Sequence, residues 1–228
     1  MLVNDWMNTP VITVDSKDSL LKAVNLMKEH NISILPVTAE GKLVGVVTDR
    51  DLKRSAPSDI IMGDMMDILH HMGRVKVEAV MSSDPITVPP DYTLEEVAEL
   101  FLTNNISGCP VVSHEGDLAG MITKKDLFRA VIAVPGFQKR GVLFGFMLED
   151  RPGSIKEVTD IIRKVNARLV SINATYSRAP EGYRYVYIRA FRIERKLLPQ
   201  LKEELANTAK LLYMVDLRDG VRETYAGY

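Results

Sequence analysis

Residues 45–51, Gly-Val-Val-Thr-Asp-Arg-Asp, and residues 120–126, Gly-Met-Ile-Thr-Lys-Lys-Asp, are two versions of one motif. In each version two apolar residues lead to a threonine, and an aspartate follows three positions later. The apolar residues indicate the end of a buried strand, and the Thr-x-x-Asp spacing is typical of the first turn of a helix. The motif therefore predicts a strand that passes directly into a helix, at two places in the chain.

The similarity extends outward from this motif. Residues 31–37, Asn-Ile-Ser-Ile-Leu-Pro-Val, match residues 105–111, Asn-Ile-Ser-Gly-Cys-Pro-Val, and residues 7–14 match residues 81–88. Three blocks in one order indicate an internal duplication. Each copy reads as strand, helix, strand, strand, helix over roughly 50 residues, which is too few for a secure core. We therefore expect the two copies to pack on each other as a pseudo-twofold pair.

Helix starts are marked by capping residues in both copies. Ser19 or Asp18 is the predicted N-cap of the first helix, and Thr93 with Glu96 makes a capping-box pattern in the second copy. We expect these helices to stop at Asn31 and Asn105. Both copies should then have the same local order of elements.

A longer connection separates the copies, and a different pattern follows them. We expect the first copy to span 1–56, a linker helix 57–76, the second copy 77–134 and a C-terminal module 140–220. The linker is rich in methionines that favour core filling: Met62, Met65, Met66 and Met72.

The C-terminal module reads as βαββαβ, the order of a ferredoxin-like sandwich. Ser154 is the predicted N-cap of its first helix. The fold class is therefore mixed α+β and α/β.

Composition excludes several classes of protein. Hydrophobic residues make up 46% and charged residues 26% of the chain, which is the balance of a globular protein. The net charge is -1, so the basic excess of a nucleic-acid reader is missing. The chain has no apolar stretch of the roughly 20 residues that span a membrane, and its start does not resemble a signal peptide. A single cysteine, Cys109, fits a reducing compartment, and we expect a cytoplasmic protein.

The duplicated motif resembles that of CBS domains, and the C-terminal module resembles an ACT domain through residues 149–155, Glu-Asp-Arg-Pro-Gly-Ser-Ile. The combination resembles the acetoin-utilisation B-type (AcuB) proteins. This resemblance implies a regulatory protein that binds an adenosine-containing ligand of the AMP, ADP or ATP class in clefts between the two copies. It also implies a homodimer, with the ACT-like module serving dimerisation or small-molecule sensing, and an unidentified protein target.

The chemistry of the motif suits such a ligand. Asp51 and Asp126 suit the two adjacent hydroxyls of a ribose, because a carboxylate accepts hydrogen bonds from them but repels phosphate. Thr48, Thr123 and the helix amides suit a phosphate group. Apolar side chains can sandwich a purine: Ile12, Ile34, Pro36, Ile86, Ile106 and Pro110. The expected nucleotide-binding residues are Thr13, Ile34, Pro36, Thr48, Arg50, Asp51, Thr87, Ser107, Pro110, Thr123, Lys125 and Asp126.

For the ACT-like module the resemblance implies an amino-acid site at a compact turn. The candidate residues are Asp150, Pro152, Gly153 and Arg168. Arg168 stands where ligand-binding members of the family commonly have asparagine. The alternative is that the module only dimerises through its sheet. Tyr183, Tyr185 and Tyr187 share one strand face, and such a stripe more often packs against a partner or a helix than holds a cofactor.

No catalytic constellation is predicted. The chain lacks a P-loop, a nucleophile elbow and a dinucleotide fingerprint, and Cys109 reads as a core residue. His70 and His71 are adjacent and so diverge on a helix, which argues against a metal site. No metal or required cofactor is expected, and an adenine nucleotide is the expected regulatory ligand. Two alternatives stay open: a structural dimer adaptor without ligand, and an enzyme with an unrecognised site between the modules.

Overall fold

The computed structural model describes residues 1–55 and 65–225, with side chains for 1–55 and 70–225. The chain forms two compact units, Met1–Phe128 and Arg129–Tyr228. Met62 of the predicted linker helix lies outside the described residues, as do the side chains of Met65 and Met66. Every helix within the described part of the chain is too short or too polar to cross a lipid bilayer.

The first unit contains the two copies except for the end of the last helix, Lys124–Ala133, which extends beyond Phe128. The first copy provides β1 (Val14–Asp15), α1 (Leu20–His30), β2 (Ile34–Ala39), β3 (Lys42–Thr48) and α2 (Asp49–Arg54). α3 (Met65–Arg74) follows in the linker, and Met72 packs against the core of the first copy. The second copy provides β4 (Ser82–Ser83), α4 (Leu94–Thr103), β5 (Gly108–Val112), β6 (Leu118–Thr123) and α5 (Lys124–Ala133). Each copy has an antiparallel hairpin, β2 with β3 or β5 with β6, followed directly by a helix.

The two copies exchange the segments that precede them. We call residues 1–8 and 75–82 the leaders of the first and second copy. The leader of the second copy pairs with β3 of the first, where Val46 lies opposite Ser82. The leader of the first copy pairs with β6 of the second, where Asn8 bridges Met121. Each sheet is therefore completed by the other copy, which confirms that the copies pack together.

Further backbone hydrogen bonds repeat the exchange at equivalent positions. The amide of Val3 donates to the carbonyl of Tyr92 at 2.8 Å, and the amide of Val77 donates to the carbonyl of Asp18 at 2.9 Å. Both residues of the second bond lie 74 positions from their counterparts in the first. The exchange thus satisfies polar groups of both leaders in the same way.

The predicted N-caps of α1 and α4 are present where the sequence places them. The Ser19 hydroxyl accepts from the amide of Lys22 at 3.3 Å, and Thr93 and Glu96 form the expected capping box. α1 ends at His30 with Asn31 as its C-cap, whose φ of 52° is the left-handed conformation that asparagine tolerates. α4 ends at Thr103 with Asn104 as its C-cap, one residue before the predicted stop at Asn105. These local signals depend on neighbours within one helical turn, and they therefore hold in the fold.

The second unit is a five-stranded antiparallel sheet covered by helices. Its elements are β7 (Val142–Glu149), α6 (Ser154–Lys164), β8 (Arg168–Thr175), β9 (Tyr183–Phe191), α7 (Leu198–Thr208), β10 (Lys210–Asp216) and β11 (Val221–Thr224). The strand order is β11-β10-β7-β9-β8. Without β11, which the sequence did not predict, this is the expected βαββαβ arrangement. The helices pack on the face that carries Phe144, Phe146 and Ile188.

The start of α6 differs from the prediction. Gly153 is the N-cap, with a φ of 88° that glycine adopts without strain, and Ser154 is the first helical residue. The Ser154 side chain is buried and accepts a hydrogen bond from Arg184 Nη2 at 3.1 Å instead of capping the helix. The prediction of a serine cap was wrong because the preceding turn needs a left-handed residue.

Two glycines allow the leaders to approach the sheets. A Cβ on Gly45 would lie 2.7 Å from Met81 Sδ and 2.9 Å from the carbonyl oxygen of Ser82. A Cβ on Gly120 would lie 2.5 Å from Met7 Sδ. The equivalent methionines of the two leaders therefore pack on the equivalent glycines of the two sheets.

Replacing Gly45 should test this close approach. We expect Gly45→Ala to lower the free energy of unfolding by about 1–3 kcal/mol, because the backbone of Ser82 must shift to admit a methyl group. The measurement is urea unfolding followed by circular dichroism. Gly73→Ala is the control, since a Cβ there meets nothing within 4 Å and alanine favours the helix by up to about 1 kcal/mol. Equal stability of Gly45→Ala and wild type would contradict the packing.

Candidate functional site

The Thr-x-x-Asp pair of the first copy forms a capping box at the start of α2. Asp51 Oδ2 accepts from the Thr48 amide at 2.9 Å and from Thr48 Oγ1 at 2.6 Å. The Asp51 amide donates to Thr48 Oγ1 at 3.3 Å. The pair therefore closes the first turn of its own helix, and Asp51 remains half-buried.

The pair of the second copy is more enclosed. Asp126 Oδ2 accepts from the Thr123 amide at 3.0 Å and from Thr123 Oγ1 at 2.5 Å, and the residue is only 1% exposed. A further donor reaches the same oxygen, because Asn8 Nδ2 lies 2.8 Å away. Asn8 comes from the leader of the first copy. The carboxylate expected to face a ribose is thus engaged with protein groups in this structure.

Sequence reasoning missed Asn8. Its counterpart 74 positions on is Ser82, so the repeat alignment shows a difference at this position but not its meaning. The meaning depends on the exchange of leaders, which brings residue 8 to residue 126. Because of that exchange, the segment that continues to Thr13 starts beside the second Thr–Asp pair, and the segment that continues to Thr87 starts beside the first.

The predicted purine-binding positions divide by exposure. Pro36 and Pro110 are buried within β2 and β5, so they contribute to the core. Ile34 is half-buried at the start of β2, with Ile12 and Ile106 at a similar exposure. Ile86 is 38% exposed. The isoleucines, and not the prolines, therefore offer accessible apolar surface.

The protein groups predicted to bind phosphate fall into two sets, exposed side chains and helix amides. Arg50, Lys125 and Ser107 are exposed, as a phosphate contact requires. The helix amides contribute less than expected, since the Asp49 amide donates to the Ser33 carbonyl and the Lys124 amide to that of Ser107. α2 is also only six residues long, which limits its dipole. Side-chain cations are thus better placed than the helix amides to bind an anion here.

The C-terminal candidates do not converge within one chain. Asp150, Pro152 and Gly153 lie in an exposed turn after β7, where Asp150 accepts from the Tyr176 hydroxyl at 3.1 Å. Arg168 begins β8 opposite Phe191, whereas the turn follows Glu149, which pairs with Tyr183. The strand β9 separates these two pairings by its whole length, so Arg168 lies at the other end of the sheet.

A cavity of about 220 Å³ lies beside this turn, between the ends of β7 and β10. Arg151 at its rim donates to Glu157 at 2.7 and 2.8 Å and to Glu149 at 3.0 Å. The hydrogen bonds from Arg151 lower the pKa of Glu157. The arginine is therefore committed to two carboxylates of its own chain, which weakens the case for an amino-acid carboxylate at this place.

The tyrosine stripe lies on the face of the sheet away from the helices. Tyr187 stacks on Tyr213 with ring centroids 6.3 Å apart, and Gly145 between them leaves room for the Tyr213 ring. Tyr185 and Tyr187 are half-buried. The stripe thus packs partly against its own sheet.

Comparison with known proteins finds a family model and several relatives that match the duplicated region. A family model described as CBS domain matches residues 3–58 and 77–133. A CBS domain-containing protein of Dictyostelium discoideum is 31% identical over 135 residues, which cover 59% of this chain and 93% of that protein. An uncharacterized protein of Methanocaldococcus jannaschii is 31% identical over 155 residues, which cover 58% of this chain and 92% of that protein.

Two further similarities bear on function. Inosine-5'-monophosphate dehydrogenase of Korarchaeum cryptofilum is 39% identical over 118 residues, which cover 52% of this chain but only 22% of the enzyme. A solved structure from Vibrio cholerae, of a protein named for acetoin utilization (AcuB), is 26% identical and aligns with a TM-score of 0.51 over 61% of this chain and 96% of that one.

Cys109 should behave as a core thiol. Burial raises its pKa from the ordinary value of 9.0 to about 12, so the thiol stays protonated in the native state at pH 8. We expect Ellman's reagent to label native protein at pH 8 far more slowly than protein unfolded in urea. Because the unfolded thiol ionises first, stability should also fall as the pH rises from 9 towards 12. Rapid labelling of the native protein would contradict this assignment.

Proposed function

This chain belongs to the CBS domain family, and on that premise we propose that it is a non-catalytic regulatory protein that senses an adenosine-containing ligand of the AMP, ADP or ATP class. The ligand binds where the leader of one copy meets the Thr-x-x-Asp motif of the other. The inosine-5'-monophosphate dehydrogenase of Korarchaeum cryptofilum is matched over about a fifth of its length, which supports a regulatory role for the shared region.

One observation carries the proposal. Asn8 of the first leader donates to Asp126 of the second copy, so an amide N–H already sits where a ribose hydroxyl would donate. A carboxylate at such a junction accepts hydrogen bonds from a diol. The half-buried Ile12, Ile34 and Ile106 provide apolar surface for a purine. The exposed Arg50 and Lys125 provide cations for phosphates.

Helix α5 couples the proposed ligand site to the second unit. It begins with the residues that follow Thr123, contains Asp126, and continues past the boundary into the second unit. A ligand that favours one position of this helix shifts the population of states that the second unit can adopt. The ACT-like second unit then acts in dimerisation, in small-molecule sensing or on a protein target. A link to acetoin utilization is supported by the similarity to the Vibrio cholerae protein. A cytoplasmic location is supported by the single free cysteine, Cys109, which fits a reducing compartment.

A structural adaptor that binds no ligand is the second candidate. It is favoured by the caps, because both Thr–Asp pairs already close the first turn of their helices. In that case the duplicated motif stabilises two helix starts, and the protein acts through dimerisation alone. Ligand binding separates the two candidates.

The decisive experiment compares two capping boxes. AMP, ADP, ATP and S-adenosylmethionine are screened by thermal shift, and the ligand that stabilises wild type most is measured by calorimetry. We expect Asp51→Ala to weaken binding at its site by about 10- to 100-fold, since hydrogen bonds to a charged group are lost. Glu96→Ala removes the acidic partner of the Thr93 capping box, away from the motif, and should leave affinity unchanged.

The two candidates predict different results. Regulation by a nucleotide requires binding by wild type and its loss in Asp51→Ala but not in Glu96→Ala. If no nucleotide raises the melting temperature of wild type, the adaptor is the better description. If both variants lose binding equally, the effect comes from helix capping and not from ligand contact.

A further inference from the structure

The two Thr–Asp pairs differ in what the exchanged leader brings to them. Position 8 of the first leader and position 82 of the second leader are equivalent in the repeat and pair with equivalent strands. Position 8 is asparagine and position 82 is serine. Asn8 donates its side-chain amide to Asp126 Oδ2 at 2.8 Å and approaches the Met121 carbonyl at 3.3 Å. Ser82 is exposed.

The carboxylates of Asp126 and Asp51 differ correspondingly in their hydrogen-bond donors and in their exposure. Asp126 Oδ2 receives donors from Thr123 and from Asn8, and the residue is 1% exposed. Asp51 is half-buried, and within residues 1–55 and 65–225 its Oδ2 accepts from Thr48. A hydroxyl donor that approaches Asp126 Oδ2 must compete with the amide of Asn8. A hydroxyl donor that approaches Asp51 meets no such competitor among the described residues.

We propose that Asn8 is an internal substitute for the ligand hydroxyl at Asp126 Oδ2, so that the Asp51 site binds the adenosine ligand first and the Asp126 site binds it more weakly. This inference rests on the proposed function. An amide N–H and a ribose O–H are both neutral donors to a carboxylate, so they compete for the same acceptor. Losing a hydrogen bond to a charged group weakens binding by about 10- to 100-fold. Residue 8 thus contributes to the difference in affinity between the two sites, which also differ in charge where Asp49 of the first motif is Lys124 in the second.

The duplicated chain offers a reciprocal exchange as the test. Asn8→Ser gives the Asp126 site the residue of its counterpart, and Ser82→Asn gives the Asp51 site the longer amide. The probe is whichever of AMP, ADP and ATP stabilises wild type most, titrated by isothermal calorimetry. Each site is measured alone in an Asp51→Ala or Asp126→Ala background.

The inference predicts opposite changes at the two sites. Asn8→Ser should tighten the Asp126 site by about tenfold or more, and Ser82→Asn should weaken the Asp51 site. Ser83→Asn is the matched control, because successive side chains of a strand point to opposite faces, and it should change neither affinity. The melting temperature supplies a second readout, since Asn8→Ser removes a hydrogen bond and should lower it while affinity rises.

A purely structural role for Asn8 gives another pattern. In that case Asn8→Ser lowers both the melting temperature and the affinity of the Asp126 site, and this result overturns the inference. Tighter wild-type binding at Asp126 than at Asp51 also overturns it. If wild type binds none of the three nucleotides, the proposed function itself fails. If it binds them and the exchange has no effect, only this inference fails.

Discussion

The architecture of the first unit depends on the reciprocal hydrogen bonding of two leaders. Neither copy closes its own sheet, because the segment that completes it comes from the other copy. The bond from Val3 to Tyr92 and the bond from Val77 to Asp18 are the same contact made twice. A buried amide without a partner is costly, so these bonds hold the copies in one relative arrangement. The position of every candidate ligand group follows from that arrangement.

The exchange also explains why the capping carboxylates are the residues that we propose for ligand binding. A strand that ends in threonine and passes into a helix needs an acceptor for its first amides, and the aspartate three positions later supplies it. The exchanged leader then crosses beside this turn. A carboxylate that would otherwise serve only as a cap therefore lies at a junction of the two copies. In the second copy the leader already donates to it through Asn8.

Most local features could be predicted from the sequence, with the cap of α6 at Ser154 as an exception, and features that depend on distant pairing could not. The caps at Ser19 and Thr93 involve residues three positions apart, so a short window of sequence contains the whole interaction. The order of elements in the C-terminal unit follows from hydrophobic periodicity in the same way. The contact of Asn8 with Asp126 spans 118 positions, and β4 has only two residues, so no local pattern predicts either. Arg168 was grouped with the turn at Gly153 by family likeness, although the strand register separates them.

The paired glycine–methionine contacts are consistent with an origin of the first unit by gene duplication and fusion. Met7 on Gly120 and Met81 on Gly45 are the two halves of one symmetric packing arrangement. A chain half as long, swapping its first residues with an identical chain, would form the same contacts as a twofold homodimer. Fusing two such genes would require only a connecting segment and no new interface. After fusion the two halves could mutate independently, and the asparagine and serine at equivalent positions are one such divergence.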